Sequence, residues 1–218
     1  MQTRPNPIFV PRNFAVIALF GHVGGAALFA LIGAAGGGAV AVWGAFGGAA
    51  FGGALGVFLG LAVSTTEDDS VDDADRPSLP PRLPWTAIGA GIALSVAVCV
   101  ISFVANFRHS GFLAGSPCPL LSDGRGAHRA TIETFLPAQY TCVYSDGALP
   151  LVDPPLLAAL TVMALAGAVA IAWGQLRLRA LPTGGIDPVV RILTGAVALF
   201  LAVDAVAGVV VLAGPGAS

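Results

Sequence analysis

Long apolar runs separated by polar segments dominate the chain. No Asp, Glu, Lys or Arg lies between Phe14 and Val63, and three further apolar runs follow. A helix needs about 20 such residues to cross the ~30 Å hydrocarbon core of a bilayer. The first run is long enough for two crossings, and the glycines at 36–38 mark where the chain can reverse. The pattern therefore predicts five membrane-spanning helices, at about residues 13–34, 38–63, 85–106, 154–174 and 188–213.

The starts of three predicted helices have local signals. Asp153 and Asp187 each precede a proline. A carboxylate at this position can accept hydrogen bonds from the free N–H groups of the first turn, while the proline occupies the first helical position. Pro84 is expected to begin the third helix in the same way, without an acidic cap.

The overall composition agrees with a membrane protein. The chain has 218 residues, of which 56% are hydrophobic and 10% are charged. Soluble domains carry about 25% charged residues. A net charge of −2 provides no basic surface for nucleic acid. The composition therefore predicts an all-α integral membrane protein that forms one domain over residues 1–218, in contact with the lipid bilayer and with no nucleic acid partner.

The distribution of arginine predicts the orientation. All ten basic residues are Arg, a bias typical of a GC-rich bacterial genome. Five crossings put seven of them on one side (Arg4, Arg12, Arg76, Arg82, Arg177, Arg179 and Arg191) and three on the other (Arg108, Arg125 and Arg129). The positive-inside rule then predicts a cytoplasmic N-terminus and an extracytoplasmic C-terminus in the plasma (inner) membrane. Trp85 and Trp173 would both lie at the cytoplasmic interface, where indole rings anchor helices.

The first predicted span has a second interpretation. Two arginines, an apolar stretch and small residues near 33–35 are also typical of a cleaved signal peptide. We expect a membrane anchor that stays in the protein.

The loop at 64–84 is acidic and rich in proline. It carries six acids between residues 67 and 75, with nothing apolar to bury. Such a segment is typical of a solvated cytoplasmic linker. The alternative is a site for a divalent cation, because carboxylate oxygens suit Ca²⁺ or Mg²⁺. The EF-hand spacing is absent, however, which favours the linker.

The segment 107–153 is expected to form a small cap on the extracytoplasmic side. Cys118 and Cys142 are the cysteines outside the predicted spans. On the oxidising side of the membrane they can form a disulfide bond. Strand-like stretches at 130–136 and 140–144 predict extended structure, arranged as a hairpin. The third cysteine, Cys99, falls inside the third helix, where we expect a small packing residue.

The second helix carries a ladder of glycines at intervals of four, which places them on one stripe of the helix: Gly44, Gly48, Gly52, Gly56 and Gly60. In lipid, helices associate through close packing, and glycine lets their backbones approach. Repeats of this kind resemble those that line oligomeric channels and rings. Two hypotheses follow. The stripe packs against the first or the third helix of the same chain, or it forms a seam with another subunit.

His22 and Asp204 lie deep in the first and fifth predicted spans. A carboxylate at the bilayer centre costs about 2.5–3.5 kcal/mol, so Asp204 should face protein or water. Three roles remain open for the pair. Asp204 could be a structural contact, protonated or hydrogen-bonded to Thr194 or Ser95. The two residues could relay a proton or cation, or they could contact a partner subunit. A direct contact between His22 and Asp204 is compatible with the predicted depths.

Metal and cofactor sites receive little support from the sequence. A haem with two histidine ligands needs a second histidine at the depth of His22, and there is none. His109 and His128, near Asp123 and Glu133, could bind a metal ion, but their spacing has no tight pattern. We expect surface histidines, no metal and no cofactor.

Enzyme motifs are also missing. The sequence has no G-x-S-x-G, H-E-x-x-H, Walker A or dinucleotide-binding pattern, and no C-x-x-C of a thiol-redox enzyme. We therefore expect a non-catalytic integral membrane subunit that packs through its glycine-rich helix into a larger homo- or hetero-oligomeric assembly. The alternative is a small channel or transporter with a polar path that involves His22 and Asp204. A third and weaker hypothesis, a membrane enzyme that uses segment 107–153, has no supporting constellation of residues.

Overall fold

The described part of the chain forms five long helices and two small sheets. The structure is a computed structural model that describes residues 8–66, 82–109, 118, 128–135, 137–151, 153–180 and 186–213. The helices are α1 (Pro11–Ala34), α2 (Gly38–Val63), α3 (Arg82–His109), α4 (Pro154–Arg179) and α5 (Pro188–Ala213). All five are long and apolar enough to cross a membrane. The five predicted spans are therefore confirmed as helices.

Several helix ends differ from the prediction, including the start of α1 at Pro11 and the end of α3 at His109. α3 begins at Arg82 rather than Trp85, because Pro84 lies in the first turn, where a backbone N–H has no acceptor within the helix. α4 continues to Arg179, five residues beyond the predicted end at 174. Arg177 and Arg179 occupy its last turn, where positive charge complements the helix dipole.

The predicted helix caps at Asp153 and Asp187 and the predicted turn between α1 and α2 are present. One carboxylate oxygen of Asp153 accepts from the Leu156 N–H at 3.3 Å. One of Asp187 accepts from the Val189 N–H at 2.8 Å. The turn between α1 and α2 passes through Gly37, whose φ of 99° is a conformation that side chains with a β-carbon rarely adopt.

The segment between α3 and α4 contains a three-stranded antiparallel sheet. Its strands are β3 (His128–Phe135), β4 (Ala138–Tyr144) and β5 (Gly147–Leu151), in the order β3-β4-β5. The first two strands match the predicted extended stretches and pair as an antiparallel hairpin. β5 adds a third strand that was not predicted. Pro150 argues against a strand in the sequence, because proline cannot donate a hydrogen bond within a sheet. Proline is tolerated at a sheet edge, and β5 is an edge strand.

A second, very small sheet was not predicted. Strand β1 (Ile8–Phe9), before α1, pairs with β2 (Thr65–Thr66), after α2. The backbone N–H of Val10 also donates to the Ser64 carbonyl at 2.8 Å. These bonds join the beginning of α1 to the end of α2.

The helices alternate in direction. α1, α3 and α5 run from the end of the bundle that carries Arg12, Arg82 and Arg191, which we call the arginine end, toward the end that carries the β3-β4-β5 sheet, the cap end. α2 and α4 run back. α3 packs against α1, α2 and α4. The side-chain amide of Asn106 donates to the Thr134 carbonyl at 3.0 Å and so joins α3 to the cap sheet.

The half of the bundle nearest the arginine end has an apolar core. Side chains of α1, α3 and α4 meet there, each at most 1% exposed: Ala15, Leu19, Ile88, Ile92, Ile171 and Leu178. Polar side chains are buried at this end as well, since Ser64 after α2 is 0% exposed, and Thr194 of α5 is 1% exposed and accepts a hydrogen bond from the Gln175 side chain.

Candidate functional site

The glycine ladder of α2 faces α1. A β-carbon added at Gly52 would lie 2.9 Å from the α-carbon of Gly25, and one added at Gly56 would lie 3.1 Å from that of Gly21. At Gly48 it would lie 2.7 Å from the Gly25 carbonyl carbon. At Gly44 it would lie 2.9 Å from the Phe29 carbonyl carbon, and at Gly60, where the contact is looser, 3.2 Å from the Phe14 carbonyl oxygen. Of the partners considered for the ladder, the structure therefore shows α1 of the same chain.

His22 joins three helices at mid-depth. It is the twelfth of the 24 residues of α1 and is 5% exposed. Its Nδ1 lies 3.0 Å from the Ala49 carbonyl oxygen of α2, and its Nε2 lies 3.0 Å from the Ser95 hydroxyl of α3. A β-carbon at Gly53 would come within 2.9 Å of Nδ1, so the glycine leaves room for the imidazole ring. Both ring nitrogens thus have partners inside the bundle.

A stripe of polar side chains continues from this point along α3. Ser95, Cys99, Ser102 and Asn106 follow one another at intervals of four, three and four residues, and so share one helix face. Each is at most 2% exposed. At 1.5 Å per residue the stripe is about 16 Å long, roughly half of the hydrocarbon thickness of a bilayer. We call these four residues the polar column. It runs from His22 to the cap sheet.

Asp204 of α5 lies beside the polar column. Its side chain is 4% exposed, and its carboxyl is close enough to the Cys99 thiol for an electrostatic interaction. Within the part of the chain that the structure describes, Asp204 forms no hydrogen bond or ion pair. Thr194, one of its predicted partners, instead donates to the Val190 carbonyl at 2.7 Å. The carboxyl oxygens of Asp204 are not fully enclosed, because among the described residues the only fully enclosed side-chain oxygen or nitrogen without a partner is the Ser64 hydroxyl.

His22 and Asp204 are not joined directly. Both face α3, where their neighbours Ser95 and Cys99 are one helical turn apart. The structure therefore places His22 in hydrogen-bond contact with the polar column, and Asp204 of α5 within electrostatic range of Cys99 in the same column.

A cavity of about 270 Å³ adjoins the column between α1, α2 and α5. His22 and Cys99 contribute its polar lining. The remaining lining is apolar and consists of Val23, Ala26, Ala45, Phe46, Ala49, Ala196, Val197 and Phe200. The rings of Phe46 and Phe200 approach to 6.0 Å between centroids. Space therefore exists beside His22, but with few groups that could solvate an ion.

Two cysteines near the cap end form the predicted disulfide. Cys118 and Cys142 are bonded, with their α-carbons 5.8 Å apart, and Cys142 is fully buried. Cys99 is free and buried, as expected for a packing residue, although its place in the polar column was not predicted.

The predicted metal candidates receive no support. Among the described residues there is no group of three or more His, Cys, Asp or Glu that could hold a metal ion. The acidic stretch 67–75 and Asp123 lie outside the described residues, as do the side chains of His109, His128 and Glu133.

Aromatic and basic side chains pair at the arginine end. The guanidinium of Arg12 lies 6.0 Å from the ring centre of Trp85. That of Arg177 lies 5.6 Å from the ring centre of Trp173. These are cation–π distances. Both predicted interface tryptophans thus lie beside positive charge at the same end of the bundle.

Sequence reasoning missed Ser102 and Asn106. Their spacing from Ser95 and Cys99 is a readable signal, because four polar or weakly polar residues recur there with a helical period inside an apolar run. No protein-family model, curated protein or solved structure matches the chain. The fold itself defines the class: a multi-pass helical bundle of five membrane-compatible spans with a small sheet at one end.

Proposed function

We propose that the protein is a small channel or transporter in which a proton or a small cation reaches mid-depth of the membrane along the polar column. The observation that carries this proposal is the placement of buried polar groups. Ser95, Cys99, Ser102 and Asn106 share one face of α3, and His22 and Asp204 lie against it.

Energetic reasoning supports the proposal. Polar and ionisable residues inside a membrane are costly and commonly mark ion or proton pathways. A bundle needs only a few such residues for packing, and those can be scattered. Here four of them form one stripe on α3 that ends at the cap sheet, whereas Ser64 and Thr194, buried near the arginine end, lie on other parts of the chain.

The proposed orientation places the cap end outside the cell. The predicted spans put seven arginines at the arginine end and three at the cap end, and this difference favours a cytoplasmic location for the arginine end. The Cys118–Cys142 disulfide favours an oxidising compartment for the cap end. The polar column would then open to the extracytoplasmic side of the plasma membrane. Reporters fused to the two termini test this orientation, and a signal from both termini in the same compartment would contradict it.

Flux through the purified protein in liposomes tests the proposed path. Proton and cation flux should be measurable with the wild type and lost with Asp204→Asn, because the amide cannot bind and release a proton. The matched control is Asp187→Asn, which makes the same chemical change at an exposed helix cap where asparagine serves equally well. Flux that is equal in all three proteins would remove Asp204 from the path.

The second candidate is a non-catalytic subunit of a larger membrane assembly. The column stops at His22, and the side chains of α1, α3 and α4 that pack beyond it are apolar, so a partner could supply the continuation of the path. The partner would contact a face other than the glycine ladder, which α1 covers. Native mass measurement after mild extraction discriminates the two. A stable monomer that supports flux favours the transporter, and a complex whose isolated chain supports none favours the subunit.

A further inference from the structure

We infer that the polar column handles the proton rather than a metal cation, and that Nε2 of His22 takes up this proton through the Ser95 hydroxyl. The inference rests on the proposed function and names the substrate class of the same site. Hydrogen-bond directions, the supply of ligand oxygens and the fit of the imidazole ring each support it.

The hydrogen bonds of His22 define which nitrogen can accept a proton. The Ala49 carbonyl can only accept, so Nδ1, 3.0 Å away, carries the hydrogen and donates it. In the neutral ring Nε2 is then a bare acceptor. Ser95, 3.0 Å from Nε2, must therefore donate its hydroxyl hydrogen to it.

This arrangement permits a balanced proton transfer. A hydronium ion that reaches the column gives its proton to the Ser95 oxygen and leaves as water. The original O–H bond of Ser95 breaks, and that proton forms a new N–H bond with the lone pair of Nε2. Ser95 is again a neutral hydroxyl, and His22 is an imidazolium whose Nδ1–H remains bonded to the Ala49 carbonyl. The reverse sequence releases the proton.

The ligands needed by a metal cation are missing from the described part of the site. Hard cations such as Ca²⁺ and Mg²⁺ are held by about six oxygen ligands. The described residues contain no cluster of three or more His, Cys, Asp or Glu. Asp204 is the carboxylate at the column, and the Ser95 hydroxyl is engaged by His22. The neighbouring cavity is lined mainly by alanine, valine and phenylalanine, which cannot replace the hydration shell of an ion.

The surroundings of His22 also favour a single proton site. α2 presents Ala49 and Gly53 to the ring, and neither is titratable. α3 presents Ser95, with the Cys99 thiol one turn farther along. From α5 the nearest charged group is Asp204, beside Cys99. The arginines of the described helices lie in terminal turns, whereas His22 lies at mid-depth. A positive charge on His22 would therefore meet a carbonyl, a hydroxyl and, beyond the thiol, one carboxyl.

Nitrogen-15 NMR of the full-length protein in lipid bilayers tests the hydrogen-bond directions independently of flux. With His22→Gln used to assign the signal, we expect a neutral ring with protonated Nδ1 and bare Nε2. Ser95→Ala should shift the Nε2 resonance. Thr86→Ala should not, since it removes an exposed hydroxyl from the same helix outside the column. A ring protonated at Nε2 in the neutral state would overturn the inference, because Ser95 would then be the acceptor.

Ion selectivity in liposomes provides the second test. We expect flux that follows the proton gradient and is unchanged when Na⁺ replaces K⁺. Ser95→Ala should lower it about tenfold, the loss expected for one broken relay hydrogen bond, and Ser95→Thr should restore it. Flux carried by Na⁺ or K⁺ would overturn the proton assignment and leave the channel intact. The predicted tautomer without flux would reject the channel and leave the proton site intact.

Discussion

α1 has two interfaces of opposite character. Toward α2 it presents glycines, and the two backbones lie so close that a single β-carbon would not fit. Toward α3 it presents His22, which hydrogen-bonds to Ser95 at the start of the polar column. Along the glycine ladder the first interface has no room for side chains, while the second contains the His22–Ser95 hydrogen bond.

The difference shows that the contact that fixes α1 in the bundle is separate from the contact that contains its polar groups. Backbone contact between α1 and α2 is stabilising in lipid because it maximises packing where the hydrophobic effect provides no drive. It also fixes α1, so that the His22 ring meets Ser95 at hydrogen-bond distance. The glycine interface is therefore expected to control stability, and the polar interface to control function.

The largest expected effect is on the glycine interface. Gly48→Leu would force α1 and α2 apart, since even the first added carbon would lie 2.7 Å from the Gly25 carbonyl carbon. We expect a loss of about 3 kcal/mol or more in the free energy of unfolding, at the upper end of overpacking effects. Thermal unfolding in detergent, followed by circular dichroism, measures it.

Gly24 provides the control for this substitution. It is an exposed glycine of α1 with nothing within 4 Å of its added β-carbon. Gly24→Leu should leave the unfolding temperature unchanged or slightly raised. Equal destabilisation by both substitutions would contradict the assignment of the glycine ladder to the α1–α2 contact.

A smaller effect, of opposite sign, is expected at Asp204. Asp204→Asn replaces the carboxyl of a residue that is 4% exposed with an amide of the same size, which is less costly to bury. The free energy of unfolding should stay the same or rise by about 1 kcal/mol. Denaturant titration of this variant beside Asp187→Asn measures the effect. A marked loss of stability would show that the carboxyl is a structural contact, the simplest of its predicted roles.

The smallest expected change is at Gly53, where the two interfaces meet. Gly53→Ala would place a carbon 2.9 Å from Nδ1 of His22 and 2.6 Å from the Cγ2 of Val96. Because side chains can shift where backbones cannot, we expect a cost of about 1 kcal/mol. The His22–Ala49 hydrogen bond should weaken, which the Nδ1 resonance reports. A stability loss as large as that of Gly48→Leu would remove the distinction between the interfaces.

The sequence predicted the helices well because each rests on a long local pattern. Charge-free runs, the glycines at 36–38 and the caps at Asp153 and Asp187 act within one helix or turn, and the structure has all of them. β5 was missed because its few residues include Pro150, and only pairing with β4 makes it a strand.

The candidate site was predicted only in part. His22 and Asp204 stood out because ionisable residues are rare inside apolar runs. Their connection depends on α3, whose hydroxyls and thiol carry no formal charge and attract little notice in a sequence. Whether the glycine ladder of α2 packs against α1, α3 or a partner is likewise decided by three-dimensional packing. The sequence cannot distinguish α1 from α3, since both helices offer small residues at the same spacing.

Cys99 is a built-in reporter for the central claim, that the column is reached from the cap end and closed from the arginine end. It is the single thiol left free, because the other two cysteines are bonded to each other. Its reaction with silver ions, added to either side of vesicles with uniformly oriented protein, tests access directly. We expect reaction from the cap end and none from the arginine end. Reaction from the arginine end, or from neither, would contradict the claim.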